Sequence, residues 1–229
     1  MLPFRTSPAG DAALVVEVEA RIDPLLNAWC VSLSQTLQQT LGTAVRDLVI
    51  GYCSVTVYYD PLTIDVAWLE EQVRNAAEHL SVESSSEGGV IDVPVCYGGD
   101  FGPDLADVAT FAGCAEEVVI DLHAARDYRV YVLGFVPGFA YMAEVDPRIA
   151  IARRAVPRTH VPKGSVAIAA GQTGIYPAET PGGWNIIGRT PIEPYDPSRN
   201  QPVLFRPGDR VRFHRIDRHT FEELQRCRA

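Results

Sequence analysis

Hydrophobic and polar positions follow two different rhythms along this chain, and the change of rhythm divides it. From Ala12 to Glu19 apolar residues recur at every second position, with Leu14, Val16 and Val18 on one face, which predicts a strand. From Asp23 the spacing becomes helical through Leu25, Leu26, Trp29, Leu33, Leu37 and Leu41. Asp23 is placed to cap that helix and Pro24 to occupy its first turn. Asp47 to Tyr59 returns to alternating β-branched and aromatic residues. Thr63 then reads as the cap of a second helix with Val66, Leu69, Val73, Ala76, Ala77 and Leu80 on its apolar face. This β-α-β-α order predicts a small α/β layer with helices on a sheet.

Ser81 to Gly89 is polar and apolar-poor and reads as a linker. Val90 to Tyr97 resumes a strand, and Gly98 to Ala125 mixes glycine turns with two short helical patterns, over 103–111 and 115–125. From Tyr128 the texture is one of short β-like runs, at Tyr128–Val136, Ser165–Ala170, Trp184–Thr190 and Arg210–Ile216. Nine prolines and seven glycines punctuate residues 150–229. Many short strands with frequent turns predict a closed barrel or a sandwich. The fold class expected is therefore α+β: an N-terminal α/β domain over 1–88, then a β-rich domain, barrel or sandwich, over 89–229. Residues 89–127 also read as a connecting region.

One stretch stands out from these rhythms. Gly171-Gln-Thr-Gly-Ile-Tyr-Pro177 is followed closely by Thr180-Pro-Gly-Gly-Trp-Asn-Ile-Ile-Gly-Arg-Thr-Pro191. Glycine admits unusual backbone angles and close approach, and proline fixes the turns around it. The run fits a polar surface that meets a ligand, and it fits equally a set of tight hairpin turns in a barrel.

Composition narrows the class. With 47% hydrophobic and 21% charged residues, the 229-residue chain is of ordinary globular type. Its first ten residues lack the shape of a signal peptide, and its longest apolar stretch, Val130–Val136, is too short to cross a bilayer. A cytoplasmic protein without membrane partners is expected. The five cysteines are odd in number and form no CxxC pair, and the five histidines show neither HxH nor HExxH spacing. A disulfide framework and a structural zinc site are disfavoured. Cys96 reads as a small buried hydrophobe.

Charge is uneven, −12 over residues 1–115 and +3 over 116–229. The arginine-rich second half could attract a carboxylate or phosphate, or could merely ring a barrel. The net charge of −9 argues against nucleic acid as a partner. Lys163, the single lysine, reads as an exposed residue of the turn Val161-Pro-Lys-Gly164.

Several motifs in order along the chain carry a resemblance. They are Gly10-Asp-Ala-Ala-Leu14, Tyr58-Tyr-Asp-Pro61, Val93-Pro-Val-Cys-Tyr-Gly-Gly-Asp-Phe-Gly-Pro-Asp-Leu105 and Leu133-Gly-Phe-Val-Pro-Gly-Phe-Ala-Tyr141. Val161-Pro-Lys-Gly-Ser-Val-Ala167, the glycine-rich run itself and Pro207-Gly-Asp-Arg-Val-Arg-Phe213 complete the set. The chain resembles the family of 5-oxoprolinase B subunits, also called the KipI or allophanate hydrolase subunit 1 family. It departs from the family pattern at Ala143-Glu-Val145 and at Cys53. The resemblance implies a cyclophilin-like barrel, pairing with the related barrel of a C subunit, and a separate A subunit. The complete enzyme would open 5-oxoproline to L-glutamate with ATP hydrolysis, using ATP and Mg²⁺ in the assembly and no cofactor tightly bound to this chain alone. Family members also include an inhibitor of a sensor histidine kinase and relatives acting on urea or allophanate.

An unstrained lactam resists hydrolysis, and phosphoryl transfer to its oxygen would create a leaving group. Such chemistry calls for cations and backbone N–H groups, with Arg best suited to a substrate carboxylate. Arg153, Arg154, Arg158 and Arg189 and the amides of Gly171, Gly174, Gly182 and Gly183 are on offer, without a GxxxxGK[ST] loop. The expected cleft is lined by Phe135, Pro137, Gly138, Phe139 and Tyr141, by Gln172, Thr173, Gly174 and Tyr176, and by Gly182, Gly183, Trp184 and Arg189, with Arg158 nearby. In it Arg189 would hold an anion, Gln172 and Thr173 would hydrogen-bond, and Trp184 would pack on a flat ligand. The aromatics fit equally as core or interface anchors. No spacing names a nucleophile, base or metal ligand.

Overall fold

The structure is a computed structural model that describes residues 2–80 and 89–227. The chain divides into two compact units, Met1–Glu87 and Gly88–Ala229. All but Gly89 of the predicted linker lies outside the described residues.

In the first unit, β1 (Arg5–Pro8), β2 (Ala13–Glu17), β3 (Asp47–Ile50) and β4 (Ser54–Tyr58) form an antiparallel sheet in the order β1-β2-β4-β3. Helices α1 (Pro24–Leu41) and α2 (Val66–Glu78) supply the other side of its core. Asp23 caps α1 as expected, its carboxylate accepting from the N–H groups of Leu25 at 2.8 Å and Leu26 at 3.2 Å. Leu14 and Val16 of β2 are sealed with Trp29, Leu33 and Leu37 of α1 and Leu69 and Val73 of α2. Each such burial stabilises the unit by about 1.5–3 kcal/mol.

Three local expectations give way to the observed geometry. The alternating run Asp47–Tyr59 is a hairpin of two strands, folded back where Gly51 N–H meets Ser54 O at 2.7 Å. Strand periodicity continues across so tight a turn, so it conceals the break. The cap of α2 is Asp65, which accepts from Ala67 N–H at 2.7 Å. Thr63 closes the preceding turn instead, its hydroxyl donating to Asp60 O at 3.2 Å. Leu25 is 67% exposed because Leu26, one position on, takes the inward direction.

The second unit is a closed barrel of seven strands. In chain order they are β5 (Val90–Tyr97), β6 (Asp127–Leu133), β7 (Ala140–Ala143), β9 (Ser165–Ala169), β10 (Gln172–Ile175), β12 (Asn185–Arg189) and β13 (Arg210–Arg215). Around the barrel the order is β10-β7-β6-β13-β5-β12-β9, with β9 and β10 closing the ring. All pairs are antiparallel except β13 with β5. Strands β8 (Arg158–Val161) and β11 (Thr180–Gly182) form a separate two-stranded ribbon. Val93, Val95, Val130, Met142, Val166, Ile168, Ile175, Ile187 and Phe213 fill the barrel.

Helices α3 (Leu105–Ala112) and α4 (Glu116–Ala124) join the same core through Leu105, Val108, Val119 and Ile120. Residues 89–127 are thus built into the barrel unit rather than linking to it. A last helix, α5 (Arg218–Arg226), is capped by Asp217 and buries Phe221. The molecule is α+β, as expected.

Candidate functional site

The loop from β6 to β7 raises Phe135 into solvent, 60% exposed with φ of +67°, while Phe139 four residues on turns inward. Pro137 is exposed and Gly138 buried. Phe139 packs with Val161, Ala167, Ala169, Tyr176, Trp184 and Ile186 in a small core of its own. Its ring meets those of Tyr176 and Trp184 edge-on, with centroids 5.3 and 5.5 Å apart. Tyr141 lies half-buried against Phe139 and Trp184.

The glycines serve these rings. A Cβ on Gly182 would stand 2.3 Å from the Tyr176 hydroxyl, and one on Gly174 would stand 3.0 Å from Phe139 Cζ. Trp184, 5% exposed, is therefore committed to packing and not poised to stack on a flat ligand. Burial also raises the Tyr176 hydroxyl pKa, against a hydrogen bond from the Trp184 backbone N–H that lowers it. Gly183 contributes its carbonyl, which accepts from Arg154 N–H at 2.8 Å.

Arg158 is engaged as well. Its guanidinium forks onto Asp104 with two bonds of 2.7 Å, and Arg154 Nη1 adds a third of 2.7 Å. Ile186 N–H donates a fourth, also 2.7 Å, to the same carboxylate. Asp104 is 1% exposed, so four donors compensate a charge removed from water. The bond to Asp104, more than proximity of charge, raises the pKa of Arg158. Asp104 carries no signal of this role in the sequence, since Asp before an apolar run looks like an N-cap; its side chain makes no cap bond.

Thr173 lies inside the barrel, fully buried, where its hydroxyl donates to Ala167 O at 3.1 Å and meets His123 Nε2 at 2.9 Å. His123 Nδ1 is 2.8 Å from the Tyr97 hydroxyl. A hydroxyl has one proton, and that of Thr173 is spent on Ala167. Nε2 must then donate to Thr173, which leaves Nδ1 to accept from Tyr97. This is one tautomer of a neutral imidazole, and burial lowers its pKa to about 3. His123 lies outside every motif quoted above; Tyr97 and Asp104 lie within the run from Val93 to Leu105, which gave no sign of what their side chains do.

Arg189 differs from every arginine above. Its guanidinium makes no hydrogen bond or ion pair among the described residues, and burial lowers its pKa. It lines a cavity of about 470 Å³ with Pro162, Lys163, Gly164, Thr190, Ile192, Glu193 and, from α5, Phe221 and Gln225. Gly164, at φ +81°, holds the floor close, since a Cβ there would stand 2.5 Å from Thr190 O. Lys163 is exposed, as expected, and pairs with Glu193 at 2.5 Å. Gln172 is on β10, paired with Ala143 and Ala169.

The expected cleft is thus divided: aromatics and glycines in one packed cluster, Arg158 on Asp104, Thr173 inside the barrel and Arg189 in a cavity beside α5. All five cysteines are free thiols. Among the described residues no group of three or more His, Cys, Asp or Glu is placed to hold a metal ion.

Comparison with known proteins gives a consistent answer. Residues 4–205 match the family model described as "Carboxyltransferase domain, subdomain C and D". A protein of Bacillus subtilis (strain 168) named as the B subunit of 5-oxoprolinase is 35% identical over 96% of this chain and 97% of its own length. One of Escherichia coli O157:H7 with the same name is 40% identical over 89% of this chain and 92% of its own. Among solved structures, that of TTHA0988 is similar with a TM-score of 0.81 and 36% identity; this chain is 90% covered and spans 40% of that longer one. The Kluyveromyces lactis urea amidolyase structure, at 19% identity and a TM-score of 0.75 over 96% of this chain and 15% of its own, shares the fold. The matched span and these identities show that the chain belongs to the carboxyltransferase subdomain C and D family and, within it, to the B subunits of 5-oxoprolinase.

Proposed function

We propose that this chain is the B component of an ATP-dependent 5-oxoprolinase that opens 5-oxoproline to L-glutamate together with C and A subunits. The observation that carries this reading is the 35% and 40% identity to two 5-oxoprolinase B subunits across nearly the full length of both partners. The geometry supports a component role. His123 is locked inside the barrel as a neutral spacer, and the Asp104 carboxylate is consumed by two arginines and a backbone amide. What this chain brings to the assembly is a rigid barrel, a cation without a counter-ion and an exposed aromatic loop. In the complete enzyme ATP with Mg²⁺ would supply the phosphoryl group for the lactam oxygen, and this chain's part would be to bind and position.

The partner reading rests on Phe135. A large apolar ring held out at the tip of a loop, over a packed aromatic cluster, fits an interface anchor. We assign it to the barrel of the C subunit.

The test is glutamate release from 5-oxoproline and ATP by this chain co-expressed with its C and A subunits, with this chain omitted as control. Turnover that needs all three supports the reading. Turnover of urea or allophanate in place of 5-oxoproline would move the chain to the amidolyase side of the fold. Neither turnover nor pairing with a C subunit would overturn the component reading and favour binding of a sensor histidine kinase.

A further inference from the structure

Two cysteines fall in the first unit, Cys30 on α1 and Cys53 in the turn between β3 and β4. The backbone fixes which way each side chain points. Glu17 of β2 lies opposite Ser54 of β4, and one step on Val18 N–H donates to Cys53 O at 3.0 Å. Val18 and Cys53 are therefore opposite each other, and opposite residues in a sheet share a face. Val18 is buried in the core that α1 covers, so Cys53 turns inward too, half-buried against that core. On α1, Leu26, Cys30, Leu33 and Leu37 follow one helical face into the same core, where Cys30 is fully buried. Asn27, also fully buried, seats the helix on the turn: its Nδ2 donates to Gly51 O at 3.3 Å and to Tyr52 O at 3.5 Å. Asn27 stands one helical turn before Cys30, and Tyr52 is the residue before Cys53. The two thiols are thus brought to one contact, close enough for the charge of Cys53 to oppose ionisation of Cys30.

We propose that Cys30 and Cys53 are a redox-active pair, which a peroxide closes to a disulfide between α1 and the β3–β4 turn. The two sulfurs have unequal roles. Cys53, half-buried, is the one solvent reaches, and it reacts first. Its thiolate attacks a peroxide oxygen: an S–O bond forms, the O–O bond breaks, and hydroxide leaves to become water. Cys53 is then a sulfenic acid, oxidised by the two electrons that reduce the peroxide. Cys30 attacks the Cys53 sulfur next; the S–S bond forms, the S–O bond breaks, and the hydroxyl leaves with the Cys30 proton as water. In sum, two thiols and one hydrogen peroxide give one disulfide and two waters. Burial first, and the neighbouring Cys53 second, push the Cys30 thiol up to about 12. Cys30 alone is therefore inert to peroxide, because the thiolate is the nucleophile. Its placement against Cys53 offsets this in the second step, which is intramolecular. The closed loop takes in most of α1 and all of β3, so oxidation fastens the helix to the turn it covers. The inference is independent of the component reading, since it concerns this unit alone and names neither partner nor substrate.

The test is a peptide map of the full chain after hydrogen peroxide, with remaining thiols capped by iodoacetamide and the digest kept non-reducing. A linked pair of peptides carrying Cys30 and Cys53, lighter by the hydrogens lost and separated by dithiothreitol, is expected. In the native chain it should form about tenfold faster or more than any other pairing of the five cysteines. Cys53→Ser should leave Cys30 a free thiol at the same dose. Cys30→Ala should leave Cys53 at the sulfenic stage, trapped by dimedone, or carry it on to sulfinic acid. A link that forms only in urea, Cys53 sulfinic acid in the parent with Cys30 still free, no reaction at either cysteine, or Cys30 oxidised as before in Cys53→Ser would each overturn it. Should the variants fail to fold, the map of the native parent against that of the urea-unfolded chain decides.

Discussion

A single imidazole shows how strictly the barrel interior apportions its protons. His123 is ringed by Tyr97, Thr173, Tyr128 and Phe213, and each of its nitrogens has one partner. Burial lowers its pKa to about 3, below the value of about 6.5 for the unfolded chain. Between these values the unfolded state binds a proton that the folded state refuses. The stability due to His123 is therefore fully present above about pH 6.5 and is lost as pH falls toward 3. Gln offers one donor and one acceptor without titrating. Denaturant unfolding of His123→Gln should show a shallower loss of stability between about pH 6.5 and 4 than the parent shows. Equal slopes would mean that this imidazole is already charged in the folded state.

Between elements, Asp104 is the knot. From the residue before α3 it gathers Arg154, Arg158 at the start of β8 and the backbone of Ile186 in β12, so three distant stretches depend on one carboxylate. Asp104→Asn removes the charge but keeps the size, leaving two guanidiniums without their counter-ion. Breaking a fully buried pair costs about 3–5 kcal/mol. Here the arginine side chains are 31% and 26% exposed, so the loss should fall at or below the lower end of that range. Urea unfolding of the isolated chain measures it. A loss under about 0.5 kcal/mol, the range of ordinary surface changes, would show that solvent already carries most of this charge.

For the molecule as a whole, the barrel has no free edge between its seven strands, so a partner cannot extend it by adding a strand. The contact proposed above is Phe135, whose ring is 60% exposed and steadied by an edge contact with Phe139 at 5.7 Å. Phe135→Asp should leave the melting temperature of the isolated chain within a few degrees, as an exposed site does. It should sharply reduce co-purification with the C subunit. Full co-purification would remove the loop from the interface. No helix among the described residues is long and apolar enough to cross a membrane.

Much of this was legible in the order of residues. Two-residue and helical periods marked β2, α1 and α2, Asp23 announced its own cap, and the glycine- and proline-punctuated second half announced short strands. These are local properties, set by which neighbours along the chain share a face. The hairpin at Gly51 stayed hidden because alternation continues through a tight turn, and β1 because four polar-leaning residues have no period to detect. The site divided differently from its motif for a further reason. Whether an arginine is spent or available depends on acids far away in sequence: Asp104 claims Arg158 from 54 positions off, and no described residue claims Arg189. Whether Trp184 stacks on a ligand or fills a core depends on Phe139 and Tyr176 arriving beside it. Periodicity and caps act between neighbours in the chain, so the sequence alone determined the long helices, the clearly alternating strands and the α+β class. Charge pairing, ring packing and the proton of His123 act between neighbours in space, and only the tertiary structure decided them.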